Sequence, residues 1–238
     1  MGVLGGAPSM TGAALLAASA ALHAGAGRVL VSLLDKNPIG VDLQQPELMM
    51  RPYPQLPIAT LTLVCGCGGG DAIAAVLGDA MARAPRLVLD ADALNAIAAD
   101  PSLKSQLIQR STTQATILTP HPLEAARLLG CDTAQVQRNR LAAAQELADR
   151  LQCTVVLKGS GTVTAAPGRI PTVNPTGNGL LSTGGTGDVL AGMLGTRLAS
   201  GLAPYEAAWI AVYQHAALAD QWPPNAALTA SALARALR

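Results

Sequence analysis

Five short runs along the chain are apolar almost without interruption: Arg28–Leu34 (RVLVSLL), Leu61–Cys65 (LTLVC), Arg86–Asp90 (RLVLD), Ala115–Thr119 (ATILT) and Thr154–Lys158 (TVVLK). A strand with one wet face alternates apolar and polar residues. These runs do not, so each reads as a strand covered on both faces. Longer Ala- and Leu-rich runs alternate with them and read as helices: Thr11–Ala24, Asp71–Ala84, Asp92–Ala99, Leu123–Leu129 and Thr133–Leu151, then Asp188–Ser200, Pro204–Asp220 and Asn225–Leu237. Pro204 suits a first helical turn, where its missing N–H costs nothing. Strand-then-helix repetition predicts βα units: an α/β fold with a mainly parallel central sheet and helices on both faces. Gly161–Ala165 and Arg169–Val173, joined by a Gly/Pro turn, predict a hairpin. The Pro-rich stretch Pro46–Pro57 reads as a loop inside one domain spanning residues 1–238, since no repeat, charge block or linker divides the chain.

Half of the 238 residues are apolar and the net charge is +1, which excludes overall disorder. A chain of this length can bury a sizeable core. Sixteen basic against 15 acidic residues leave no electrostatic footprint for nucleic acid. Two Trp, three Tyr and no Phe argue against base-stacking platforms. Ala14–Ala26 is Ala-rich like a signal peptide but lacks a basic first region and includes Ser19 and His23, so secretion is not expected. No run of ~18 apolar residues predicts a membrane span. Cys65, Cys67, Cys131 and Cys153 are too few for a disulfide framework, and the C-x-C pair lacks partners for zinc, so they read as buried or loop thiols. A soluble cytoplasmic protein is expected, with an apolar surplus that favours a homo-oligomer.

In open α/β sheets, ligands gather beyond the carboxyl ends of the strands. Four predicted strands end in unusual sequence: Gly66-Cys67-Gly68-Gly69-Gly70, Asp90-Ala91-Asp92-Ala93-Leu94-Asn95, Pro120-His121-Pro122 and Lys158-Gly159-Ser160-Gly161-Thr162. Each alone is explicable as a turn or a helix cap; together they mark one edge. The sharpest segment is Asn174–Gly192, NPTGNGLLSTGGTGDVLAG. Gly184, Gly185 and Gly187 leave the backbone bare before a helix predicted to start near Asp188, and free N–H groups at a helix N-terminus make an anion site. Asp188, at the mouth of that hole, is poorly suited to bind phosphate and well suited to take a proton from a facing hydroxyl. A Cβ at Gly185 is expected to intrude on the phosphate cradle. No Gly-Lys-Ser/Thr follows the glycines, so the segment is not a P-loop, and it lacks a dinucleotide fingerprint.

The Gly-Thr-Gly-Asp run opening a late helix resembles the ribokinase-like superfamily. The longer string from Asn174-Pro-Thr-Gly-Asn178 through Thr183-Gly-Gly-Thr-Gly-Asp188 to Gly192 resembles the ADP/ATP-dependent NAD(P)H-hydrate dehydratase family. So do Gly5-Gly6, Asp90-Ala-Asp-Ala-Leu94, Thr119-Pro-His-Pro122 and Leu157-Lys-Gly159. The likeness covers nearly the whole chain, with its motifs in the family's order. It implies a ribokinase-like three-layer sandwich. It also implies repair of hydrated NADH or NADPH: water is removed from the S epimer with ADP (or ATP), leaving AMP (or ADP) and phosphate. By resemblance, Asp188 is the base. Gly184, Gly185, Thr186 and Gly187 form the anion hole. Lys158, Gly159, Ser160, Gly161 and Thr162, with Gly187, line the nucleotide. Ala13, Gly68, His121 and Asp188 contact the hydrated cofactor. Phosphoryl transfer needs charge neutralisation, so Mg²⁺ is expected, with no ligands legible. The family's epimerase domain is absent, so a separate epimerase is implied. Two departures stand out. Cys67 occupies a place where the family usually carries Pro, and Met1 precedes Gly5-Gly6 by only four positions, so the first strand reads as clipped. The competing readings are a hydroxymethylpyrimidine or thiazole kinase of the same fold, and a nucleotide-binding module without turnover.

Overall fold

The computed structural model describes residues 1–237. The chain runs through β1 (Gly2–Gly5), α1 (Thr11–His23), β2 (Leu30–Leu33), β3 (Met49–Met50), β4 (Thr62–Cys65), α2 (Ala74–Arg83) and β5 (Arg86–Leu89). It continues through α3 (Asp92–Ala99), α4 (Pro101–Ser111), β6 (Ala115–Leu118), α5 (Pro122–Leu129), α6 (Thr133–Arg138), α7 (Arg140–Leu151) and β7 (Thr154–Leu157). It closes with β8 (Val163–Ala165), β9 (Thr172–Val173), α8 (Thr186–Ala199), α9 (Pro204–Asp220) and α10 (Ala230–Arg235). One nine-stranded sheet has the order β3-β2-β1-β4-β5-β6-β7-β8-β9. The pairings from β3 through β7 are parallel, and β8 and β9 join antiparallel as the expected hairpin.

The two faces of the sheet are chemically distinct. Val3, Val31, Val64, Val88, Ile117 and Val156 point to the side of α1, α8, α9 and α10. Leu4, Leu63, Leu87, Leu89, Leu118 and Leu157 point to the side of α2 to α7. Short β-branched side chains let the Gly-bearing α8 lie close to the sheet, where a Cβ at Gly195 would be 2.5 Å from Val64 Cγ2. The contact between α1 and α8 is closer still: a Cβ at Gly192 would lie 2.1 Å from the Ala17 carbonyl oxygen. α8 is buried on nearly every side, which fixes the direction of its N-terminus.

Several elements differ from the sequence expectation. The first strand forms as a short central strand: β1 is buried along its four residues and pairs with β2 on one side and β4 on the other. The predicted helix Thr133–Leu151 breaks at Asn139 (φ −146°, ψ 78°), whose side chain caps α7 by accepting from Ala142 N. The predicted Asn225–Leu237 helix shortens to α10, capped by Thr229. α4 was not expected, although Leu107 is buried and Leu103 and Ile108 pack against the core. It is anchored by the buried Arg110, whose guanidinium donates to Ala84 O at 2.9 Å and Thr116 Oγ1 at 3.0 Å. Met49–Met50 adds a short edge strand to the Pro-rich loop. No helix among the described residues is long and apolar enough to cross a membrane.

Candidate active site

The carboxyl ends of β4 to β7 converge on the buried carboxylate of Asp90. Thr119, one residue past β6, donates its hydroxyl to Asp90 Oδ1 at 2.6 Å. Lys158, one residue past β7, places Nζ 2.6 Å from the same oxygen. Cys67, two residues past β4, donates its S–H to Asp90 Oδ2 at 3.8 Å. Ala91 turns the chain with φ +46° and ψ −114°, a strained conformation for a residue with a Cβ. That turn sends the next carboxylate the other way, where Asp92 Oδ2 accepts from Gly70 N at 2.8 Å. Lys158 also lies 4.0 Å from Glu124 Oε2. Burial pulls the Lys158 ammonium down, but Asp90 and Glu124 outweigh it and hold it above its ordinary range.

His121 is a built part of α5 rather than a free polar group. Its Nδ1 accepts from Leu123 N and Glu124 N, both at 3.2 Å, while Glu124 Oε2 accepts from His121 N at 2.7 Å, forming a reciprocal cap. His121 Nε2 lies 3.2 Å from Glu124 Oε1. An accepting Nδ1 requires the tautomer protonated on Nε2. Burial, then the charge of Lys158, lowers the imidazole's proton affinity in keeping with that neutral form.

α8 begins at Thr186, two residues earlier than expected, so Asp188 lies in its first turn. The cap, Gly185, has φ +90°. Thr186 Oγ1 donates to Leu181 O at 2.8 Å. The buried His215 of α9 donates from Nε2 to Thr186 O at 2.9 Å, and burial pushes that imidazole down to about 4, so it is neutral. Burial, then the negative charge of Asp90, pushes Asp188 up to about 7, with the Cys67 S–H and Lys158 pulling the other way.

The expectation for Gly185 needs correction. A Cβ there would lie 2.6 Å from Leu16 Cδ1 and 2.9 Å from Ala230 Cβ, so its bare Cα faces the interior and not a phosphate. The bare Cα of Gly187 faces Lys158, whose Nζ would lie 3.5 Å from a Cβ. Nothing lies within 4 Å of a Cβ at Gly184.

A cavity of about 300 Å³ opens beside this helix start. Lys158, Gly159, Ser160, Gly161 and Thr162 all line it, facing Asn174, Thr176–Asn178, Thr186, Gly187 and His215. Arg140, at the start of α7, holds the turn after β7 by donating to the carbonyls of Leu157, Lys158 and Ser160. Asn178 Nδ2 donates to Ala219 O at 2.9 Å, and Gly177 N donates to Asp220 Oδ2 at 2.7 Å, bracing the opposite wall on the end of α9. Ala13, Gly68 and His121 lie outside this cavity. Ala13 and Gly68 touch each other: a Cβ at Gly68 would be 2.8 Å from Ala13 Cβ. Both Gly68, next to Cys67, and His121, joined through Glu124 to Lys158, flank the Asp90–Lys158 pair. Sequence reasoning did not select Asp90, Arg140 or His215 as site residues. Of these only Asp90 carried a signal, its place at a strand end.

Cys67, Asp90 and Asp188 form the one cluster of potential metal ligands among the described residues, within 4.8 Å of one another. It does not fit Mg²⁺. Lys158 and Thr119 already occupy Asp90 Oδ1. Burial pushes the Cys67 thiol well above its ordinary range, so it remains S–H, and a hard cation takes oxygen ligands.

The family model described as NAD(P)H-hydrate dehydratase matches residues 1–238. The ADP-dependent (S)-NAD(P)H-hydrate dehydratase of Neisseria meningitidis is 39% identical, over 98% of this chain and 80% of its own. The bifunctional NAD(P)H-hydrate repair enzyme Nnr of Moorella thermoacetica is 36% identical over 92% of this chain, which spans only 44% of that protein. Among solved structures, the ADP/ATP-dependent NAD(P)H-hydrate dehydratase from Bacillus subtilis co-crystallised with ATP/Mg²⁺ superposes with a TM-score of 0.78. Its identity is 32%, over 98% of this chain and 85% of that one. A ribokinase-like superfamily protein from Enterococcus faecalis, 24% identical over 99% and 84%, superposes at 0.79 and speaks for the fold alone. Sequence and superposed fold therefore agree: the chain belongs to the NAD(P)H-hydrate dehydratase family.

Proposed function

We propose that this chain, acting as one domain, dehydrates the S epimer of hydrated NADH or NADPH at the expense of ADP, or of ATP. The observation that carries this reading is the cavity: the turn after β7 and the Asn174–Asn178 loop face the start of α8, one residue before the Asp188 carboxylate. The cavity takes the nucleotide, with Lys158–Thr162 along one wall. The N–H groups at the start of α8 receive the phosphoryl group in transit. The hydrated ring sits on the side of Ala13, Gly68 and His121, with its hydroxyl toward Asp188.

Ionised Asp188 takes the hydroxyl proton as that oxygen bonds to the terminal phosphorus. The bond from phosphorus to the AMP oxygen breaks. The C–O bond of the resulting phosphate ester then breaks, the neighbouring ring carbon gives up a proton to solvent and the ring double bond re-forms, so the oxygen of the removed water departs in inorganic phosphate. Mg²⁺ would be held by the phosphate oxygens and water rather than by side chains, and would neutralise charge on the phosphates. The four free thiols suit a reducing compartment such as the cytoplasm. A separate epimerase interconverts the two epimers, so that the other form also reaches this site. Self-association has a candidate face on α9, where Trp209 and Tyr213 are each about half exposed.

The test supplies the hydrate and ADP and follows recovered absorbance of the reduced ring together with AMP and phosphate. Equal yields of all three are expected. A stable phosphorylated product would instead favour the kinase reading. Asp188→Asn should lower turnover by roughly 10²–10⁴ and leave ADP affinity nearly unchanged. Parental turnover in that variant would remove the base from this scheme.

A further inference from the structure

The loop after β4 carries a side chain to which the reaction above gives no part. Cys67 is fully buried. Its sulfur lies 3.8 Å from Asp90 Oδ2, and it lies within 4.8 Å of both the Asp90 and the Asp188 carboxylates. A thiol has one proton to give, and both neighbours are acceptors. Asp90 has two other donors, Lys158 and Thr119, each at 2.6 Å and both on its Oδ1. The groups that face Asp188 are Asp90 at the end of β5, Asp92 at the start of α3, Lys158 at the end of β7, and Cys67. Three of these elements bring it charge, and the β4 loop brings it an S–H.

We propose that Cys67 is a positioning residue for Asp188: its S–H turns from Asp90 to Asp188 when Asp188 ionises, holding one carboxylate oxygen so that the other faces the substrate hydroxyl. This rests on Asp188 being the base. A proton donor beside a buried carboxylate favours its charged form, and the thiol pulls Asp188 down against burial and Asp90. The thiol itself, pushed well up by burial, keeps its proton throughout the range in which Asp188 titrates.

The experiment compares the acid limb of the kcat/KM profile for the parent, Cys67→Ala and Cys67→Ser, with hydrated NADH and ADP as substrates. Loss of the donor in Cys67→Ala should move the limb to higher pH by about half a unit or more. The stronger O–H donor in Cys67→Ser should move it to lower pH. A change confined to KM, with both limbs at the parental pH, would mean that Cys67 only shapes the loop and would overturn the proposal. If the alanine variant does not fold, the serine limb alone decides between the two outcomes. Asp188→Asn separates this from the reading beneath it. An inactive Asp188→Asn with unmoved cysteine limbs defeats only the thiol's part, whereas an active Asp188→Asn defeats the base itself.

Discussion

Asp188 holds two demands in tension. As the proposed base it must be ionised to take a proton, and burial beside Asp90 opposes ionisation, which places its titration at about 7. Its folded value is raised, so between about 4 and 7 the folded state binds more protons than the unfolded one, and stability falls as pH rises through that window. By pH 8 the whole penalty is present. Asp188→Asn should therefore melt several degrees above the parent at pH 8, with the gap closing toward pH 4, as read by calorimetry. The neighbouring glycines divide similarly between chemistry and architecture. Gly187→Val should crowd the cavity and weaken ADP binding at least tenfold with little change in Tm. Gly185→Val should lower Tm sharply, because φ +90° excludes a branched side chain and Leu16 and Ala230 leave it no room. The glycine run and the carboxylate after it were legible in the sequence. Which way each missing Cβ would have pointed was not, because that depends on helices from the far ends of the chain.

Helix by helix, the sequence spoke clearly where an apolar run met a boundary residue, and poorly where a polar side chain carries the packing. α3 and α9 begin and end where the pattern placed them. α4 escaped notice because its few apolar residues, Leu103, Leu107 and Ile108, sit among polar ones and share the anchoring with a buried guanidinium. The Thr133–Leu151 run read as one helix because nothing in its apolar spacing betrays the turn at Asn139. The contact of α1 with α8 makes the strictest steric demand. Gly192→Ala puts a methyl group 2.1 Å from the Ala17 carbonyl oxygen, so one helix must shift. The expected cost is about 1–3 kcal/mol, measured by denaturant unfolding. Nucleotide affinity should fall with it, since the proposed anion site lies at the start of α8.

The sheet as a unit gathers residues far apart in the chain: Cys67, Asp90, Thr119, Lys158 and Asp188 meet although none neighbours another in sequence. Parallel strands make this possible by bringing every carboxyl end to one edge, and that edge was legible from strand order alone. The hydrogen bonds among these side chains were not, because strand spacing does not say which carboxylate a lysine will choose. A nucleotide in the cavity bridges the hairpin side to the α8–α9 side and should stabilise both together. ADP at a hundred times its dissociation constant should add about 2.7 kcal/mol, a rise in Tm of roughly 5–10 °C for a chain this long. No shift would contradict a nucleotide role for the cavity. The seating of α8 against α1 has one more effect. A helix that cannot slide keeps its amides aimed the same way with or without an anion, so in the proposed reaction an arriving phosphate would meet a finished template and spend none of its binding energy on assembling one.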